Sequence, residues 1–158
     1  MEPIEKIVNA FNQIDIKVAP NNRREVMFAK NFENKWEVSV PISIVDFCTE
    51  PKPRLTSDIC DTLAHELGHW LVAPPGRRFR TNFGIPNKAW PPNGYDKWEL
   101  EEGKATVAGL YCMNQIGFHH ELKATGNIRR IKQEVETWWN NGGQDFIASE
   151  LKKAGIKF

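Results

Sequence analysis

Apolar residues are spaced like one face of a helix in most of the chain and like a strand in one segment. Near the start, four of them share helical spacing: Ile4, Ile7, Val8 and Phe11. This spacing predicts a short amphipathic helix over residues 3–14. The same periodicity predicts two helices toward the end of the chain, near Ile128–Trp139 and Gln144–Ala154.

Strand-like patterns are confined to the segment that follows the first helix. Three runs have this character: Asp15–Ala19, Glu25–Phe32 and Trp36–Val45. Asn21-Asn22 and Glu33-Asn34 separate them, which is typical of a meander of neighbouring strands. Pro41 inside the third run indicates an edge strand or a bulge, because proline cannot donate a backbone hydrogen bond.

Two longer helices are predicted in the middle of the chain. Thr56 or Ser57 would cap the first, which runs to about Val72 before a proline-rich loop over residues 73–95. Asp96 would begin the second, which runs to about Ile116. The order of helix, small mixed or antiparallel sheet, then helices predicts the α+β class, in one domain spanning residues 1–158.

The composition is that of an ordinary globular protein of one domain's length. Of 158 residues, 41% are hydrophobic and 26% charged, and 21 Lys and Arg face 20 Asp and Glu. The balance carries no strong signal for nucleic acid, and no apolar run is long enough for a membrane span. The start of the chain is unlike a signal peptide. Cys48, Cys60 and Cys112 have no CxxC spacing, so we expect reduced thiols and a cytoplasmic location.

The segment His65-Glu66-Leu67-Gly68-His69 is an HExxH sequence. On a helix, its two histidines lie one turn apart and can bind one metal ion, while Glu66 projects beside that ion as a general base. On a helical wheel, both histidines lie apart from the apolar stripe, whose members are Ile59, Leu63, Leu67 and Trp70. Solvated or merely buried histidines are the alternative interpretation.

A third metal ligand is expected from the next helix, because catalytic sites usually have three protein ligands. Glu102 falls within the buried stripe of that helix and Glu101 at its edge. A buried carboxylate needs a cationic partner, and a metal ion would supply it. We therefore predict Glu102 as the third ligand and hold Glu101 in reserve. The alternative is that Glu102 pairs with a lysine or arginine. Ala105 and Gly109 on this face would allow close approach to the HExxH helix.

Several residues around the motif could take part in binding. Arg77, Arg78 and Arg80 could hold a carboxylate or phosphate of a substrate, or could be solvated loop charges. Tyr95 could donate a hydrogen bond to an oxyanion, whereas Tyr111, in mid-helix, is expected to pack in the core.

Three further polar residues have an open role. Asp61, one turn before His65, could orient an imidazole or simply favour the helix start. His119 and His120 could bind metal but are more typical of surface histidines at a helix start. We also expect Trp138 and Trp139 to be split between core and surface.

At His65–Trp70 and Glu101–Ala105 the chain resembles minimal zincin metallopeptidases of the ImmA/IrrE kind and the peptidase-like domain of plasmid antirestriction proteins. The resemblance covers roughly residues 56–117. It implies a zincin-like fold and a zinc metallopeptidase that cleaves a protein or peptide substrate with a metal-activated water.

The loop after the motif resembles a different family, elongation factor P hydroxylase. The matching residues are His69-Trp70, Ala73, Arg77-Arg78 and Phe83-Gly84. That resemblance implies a non-haem iron hydroxylase, and a His-His-Glu ligand set suits Fe²⁺ as well as Zn²⁺. A third hypothesis is a non-catalytic, metal-stabilised module that binds a protein partner.

Overall fold

The computed structural model describes residues 2–21, 27–30, 32–41, 53–73, 95–123 and 129–158. The elements, in chain order, are α1 (Pro3–Gln13), β1 (Lys17–Asn21), β2 (Met27–Lys30), β3 (Trp36–Pro41), α2 (Pro53–Val72), α3 (Tyr95–Gln115), α4 (Arg129–Trp138) and α5 (Gln144–Lys153). The fold is α+β, as predicted. None of the described helices combines the length and the apolar composition needed to cross a lipid bilayer.

The three strands form a mixed sheet in the order β1-β3-β2. Lys17 of β1 lies opposite Glu37 of β3 in a parallel pair, while β2 runs antiparallel to β3, with Met27 opposite Ser39. The predicted meander is therefore wrong, because β1 pairs with β3 and not with β2. Alternating residues and turn signals mark where strands lie, but the choice of partner depends on distant parts of the chain.

Within the sheet, β3 is the central strand, so the edge strand predicted from Pro41 is wrong. Val38 and Val40 of β3 are buried at 0% and 1% exposure, and Pro41 is tolerated because it ends the strand. The first strand begins later than predicted, since Asp15 has a positive φ of 58° just after α1. The predicted continuation of the third strand to Val45 lies outside the described residues.

The helices follow the apolar spacing closely. In α1, the buried residues are Ile4, Ile7, Ala10 and Phe11, and a capping box between Glu2 and Glu5 closes its start. The caps predicted for α2 are wrong, because that helix begins at Pro53 and contains Thr56 and Ser57. Proline is well suited to the first helical position, because its fixed φ is close to the helical value.

The later helices also end where the sequence indicates. Helix α3 ends at Gln115, two residues before Gly117, whose φ of +110° suits glycine. Helices α4 and α5 follow one another through a kink in which Gly142 has a φ of +121°.

Helices α2 and α3 pack antiparallel with their backbones in close contact. A Cβ atom on Gly68 would overlap the carbonyl oxygen of Ala105, and one on Gly109 would lie 2.9 Å from the carbonyl oxygen of Ala64. The predicted close approach at Ala105 and Gly109 is thus confirmed. We call these four small residues the glycine seam. Because it brings the two backbones together, side chains on one helix reach those on the other.

Candidate metal centre

Three of the predicted site residues converge where α2 and α3 face each other beside the glycine seam. The Nε2 atom of His65 lies 2.9 Å from Oε2 of Glu102, and Nε2 of His69 lies 3.2 Å from Oε1 of the same carboxylate. The two Nε2 atoms are 3.1 Å apart. Among the described residues, His65, His69 and Glu102 form the one group of at least three side chains that could hold a metal ion.

The spacing of these atoms suits a small divalent cation. Two ligands bound 2.0–2.1 Å from a tetrahedral zinc ion lie about 3.3 Å apart, close to the three separations in this cluster. Imidazole nitrogens and a carboxylate oxygen are also the donors that zinc and iron accept. The residues present therefore fit a metal ion.

Hydrogen bonds and opposite charges join the three side chains of the cluster. Burial opposes the charge of His69, but hydrogen bonds to Glu101 and Glu102 prevail and raise its pKa to about 10. Burial likewise opposes the charge of Glu102, but hydrogen bonds from His65 and His69 lower its pKa to about 2. A carboxylate that contacts two imidazoles favours a cation between them. A metal ion would take the place of the hydrogen on the Nε2 atom of His69.

Glu66, the predicted general base, lies beside this cluster. Burial raises the pKa of its carboxyl group, the charges of His69 and His65 oppose that rise, and the charge of Glu102 adds to it. Glu66 directly follows His65 in α2, and its carboxyl group interacts electrostatically with all three candidate ligands. It is only half-buried.

Glu102 is less buried than its position on the helical wheel predicted. Its side chain is 31% exposed, while that of Glu101 is 13% exposed. The two residues also have different partners, because Oε1 of Glu101 lies 3.3 Å from the Nδ1 atom of His69. Glu101, held in reserve as a ligand, thus contacts the nitrogen that faces away from the cluster. A wheel places Cα atoms, whereas long side chains turn toward their partners.

Thr106 is a site residue that the sequence analysis missed. Its Oγ1 atom lies 3.3 Å from the Nδ1 atom of His65 and donates a hydrogen bond of 2.9 Å to the backbone oxygen of Glu102. The signal available in the sequence was its position four residues after Glu102, on the same face of the helix.

Asp61 faces a histidine, but one outside the motif. Its Oδ1 atom lies 3.4 Å from Nε2 of His120. Asn114 accepts a 2.7 Å hydrogen bond from the backbone N–H of His120 and donates one of 2.9 Å to its carbonyl oxygen. The ring of His120 stacks on Phe118 with centroids 5.7 Å apart. The predicted helix start at this histidine is wrong, since residues 118–123 form no helix.

Tyr111, Trp138 and Trp139 are not part of the cluster. Tyr111 packs edge-on against Trp139, with ring centroids 5.7 Å apart, as expected of a packing residue. Trp139 is buried at 5% exposure, as predicted for one of the two, but Trp138 is half-buried and packs against the core, so it is not the predicted surface residue. The arginines Arg77, Arg78 and Arg80 lie outside the described residues. Tyr95 is the first residue of α3, and its side chain also falls outside them.

A cavity of about 390 Å³ opens beside His65. Its walls are formed by residues of α2 and α3: Asp61, Thr62, His65, Thr106, Gly109 and Leu110. A candidate ligand and the residue that contacts its outer nitrogen therefore both line a space that a small group or side chain could enter.

In comparisons with known proteins, the chain matches no family model, no curated protein and no solved structure.

Proposed function

We propose that this protein is a zinc metallopeptidase-like hydrolase of the zincin kind, acting on a protein or peptide. The observation that carries the proposal is the convergence of His65, His69 and Glu102, with the Glu66 carboxyl group beside them. The antiparallel packing of the HExxH helix on the helix that supplies Glu102 supports the zincin-like assignment. Cys60 and Cys112 are buried and form no disulfide, which supports a cytoplasmic location.

A bound zinc ion would supply a Lewis acid and lower the pKa of a water molecule to near neutrality. The chain's own residues would do the rest. Glu66 would accept a proton from that water and pass it to the leaving group. Because burial raises the pKa of Glu66, its carboxyl group is better matched to moving a proton near neutral pH than a solvated glutamate would be.

The cavity next to His65 would accommodate the part of the substrate nearest the scissile bond. One wall carries the apolar side chain of Leu110 and part of Gly109, and the opposite helix contributes the Asp61 carboxylate. A peptide lying across this cavity would bring a carbonyl group to the ligand cluster. This arrangement supports a peptide substrate.

The placement of Glu66 favours hydrolysis over the iron hydroxylase alternative. Two histidines and one carboxylate suit both metals, so the ligands do not discriminate between them. A carboxylate beside the cluster is what water activation requires. Metal analysis of protein purified without oxygen tests this point, since one zinc per chain is expected, and one iron per chain would favour the hydroxylase.

The mechanism is tested by Glu66→Gln, which keeps the size of the side chain and removes the base. We expect this variant to bind zinc normally and to cleave a library of quenched fluorescent peptides about 10²- to 10⁴-fold more slowly than the wild type. Glu99→Gln, an identical change on α3, is the matched control and should cleave at the wild-type rate. Normal cleavage by Glu66→Gln would exclude the hydrolytic mechanism.

A further inference from the structure

Each candidate histidine ligand has a different oxygen behind it. Both imidazoles turn Nε2 toward Glu102, and both turn Nδ1 toward an oxygen atom of α3. Behind His65 this oxygen is the Thr106 hydroxyl, and behind His69 it is the Glu101 carboxylate. One partner is a neutral hydroxyl and the other a charged carboxylate, but they occupy equivalent positions behind the two imidazoles. This equivalence suggests a common role.

The hydrogen bonds of Thr106 determine which nitrogen of His65 carries hydrogen. A hydroxyl has one hydrogen to donate, and the hydroxyl of Thr106 gives it to the backbone oxygen of Glu102 at 2.9 Å. Toward His65 the Thr106 oxygen can therefore only accept, so Nδ1 of His65 must carry a hydrogen atom. With hydrogen held on Nδ1, the nitrogen left to bind a metal ion is Nε2, where the metal would take the place of the hydrogen that faces Glu102.

Glu101 acts on His69 in the same sense but with a charge. Its carboxylate oxygen, 3.3 Å from Nδ1 of His69, accepts a hydrogen bond from that nitrogen. The contact is well shielded, since the two side chains are 12% and 13% exposed. A carboxylate behind a metal-binding imidazole makes the other nitrogen a stronger donor, and such partners usually change metal affinity 10- to 100-fold.

We propose that Thr106 and Glu101 are positioning residues that set the metal affinity of the site by holding His65 and His69 with hydrogen on Nδ1. The proposal rests on the proposed function only in requiring that the cluster bind a metal ion. It assigns Glu101 to the support of His69 in place of direct ligation.

The test is the zinc affinity of purified protein, measured by competition with a chromophoric chelator. Thr106→Val keeps the shape of the side chain and removes the oxygen, and we expect it to bind zinc about 10- to 100-fold more weakly. Thr106→Ser restores the hydroxyl and should bind within about threefold of the wild type. Thr137→Val, the same change at an exposed position of α4, is the matched control and should not alter the affinity.

For Glu101, two variants separate the acceptor from the charge. Glu101→Met removes both and should weaken zinc binding about 10- to 100-fold, whereas Glu101→Gln keeps an acceptor oxygen and should lose less. Glu102→Gln should lose more than either, because it alters a ligand. An equal loss in Glu101→Gln and Glu102→Gln would overturn the assignment of Glu101, since it would indicate direct ligation.

A second readout separates positioning from a general structural effect. The visible spectrum of the cobalt-loaded protein reports the ligands directly, and we expect it to change in Thr106→Val while the thermal unfolding of the metal-free protein does not. If Thr106→Val fails to fold, the Glu101 variants carry the same test.

The outcomes distinguish the two proposals. If the wild type, Thr106→Val and Glu101→Met all bind zinc equally tightly, only the positioning role is overturned. A wild type that binds zinc and shows the expected losses, but cleaves no peptide, supports the positioning role and overturns the peptidase. A wild type that binds no zinc overturns both.

Discussion

The interface between α2 and α3 has two sides that meet different physical requirements. On one side lies the glycine seam, where Gly68 and Gly109 touch the backbone of the opposite helix. On the other side lies what we call the ligand face: His65, His69, Glu101, Glu102 and Thr106. The seam is buried, whereas the imidazoles of the ligand face are 12% and 28% exposed.

This difference separates folding from chemistry. The seam tolerates no added atom, because backbone atoms cannot move aside, and so it sets the distance between the helices. Metal binding at the ligand face depends on which side-chain atoms the two helices present to each other across that distance. We expect changes in the seam to affect both stability and metal binding, and changes in the ligand face to affect metal binding with a smaller loss of stability than changes in the seam.

The largest effect on stability is expected from Gly68→Ala. The added methyl group would overlap the carbonyl oxygen of Ala105, so α2 and α3 must separate. Overpacking of this kind costs about 1–3 kcal/mol and occasionally more, and because both contacting atoms belong to rigid helices we expect about 3 kcal/mol. Urea denaturation of the metal-free protein measures it. Zinc affinity should fall in parallel. A variant as stable as the wild type would show that the seam is not close-packed.

An intermediate effect is expected from acid on the ligand face. The pKa of Glu102 falls from 4.5 to about 2 on folding, so its contribution is complete above pH 4.5 and is lost as the pH falls from about 4.5 to about 2. Because the carboxylate is partly exposed, we expect this contribution to be about 2 kcal/mol.

The same cluster limits stability on the alkaline side. The pKa of His69 rises from 6.5 to about 10, so its contribution is complete below pH 6.5 and is lost as the pH rises toward about 10. Both effects are measured by the free energy of unfolding of the metal-free wild type and of Glu102→Gln, followed from acid to alkaline pH. If Glu102→Gln loses stability equally steeply in acid, that loss arises from other carboxylates.

The smallest effect is expected from Gly103→Ala, which sharpens the comparison. This glycine also lies in α3, but an added Cβ would lie 2.8 Å from Cγ2 of Val135, a side-chain atom of α4. The side chain can shift, and alanine gains about 1 kcal/mol of helix propensity over glycine. We therefore expect a net loss of about 1 kcal/mol or less, by the same urea measurement, with unchanged zinc affinity. A loss as large as that of Gly68→Ala would mean that side-chain contacts are as rigid as backbone contacts here.

Local patterns predicted the helices well. The spacing of Ile4, Ile7 and Phe11 was enough for α1, because an amphipathic helix of this length records its buried face in every turn. The same reasoning placed His65 and His69 on one polar face and identified Glu102 as their partner, since the contacts between two helices repeat with helical period.

Long-range pairing was not predictable in this way. The meander was wrong because β1 pairs with β3, and nothing within Lys17–Asn21 records that choice. Pro41 misled for a related reason, since its effect depends on whether it lies inside a strand or at its end. The contact between His120 and Asp61 also joins segments that are distant in the chain.

By itself, the sequence determined the helical segments, the two histidines one turn apart and the small residues that let α2 and α3 approach, because each of these is a property of neighbouring residues on one helix. Only the tertiary structure decided that Glu102 spans both imidazoles while Glu101 and Thr106 contact their outer nitrogens. Those roles differ by the direction of a side chain over a few ångströms, and that direction follows from how one helix lies against the other.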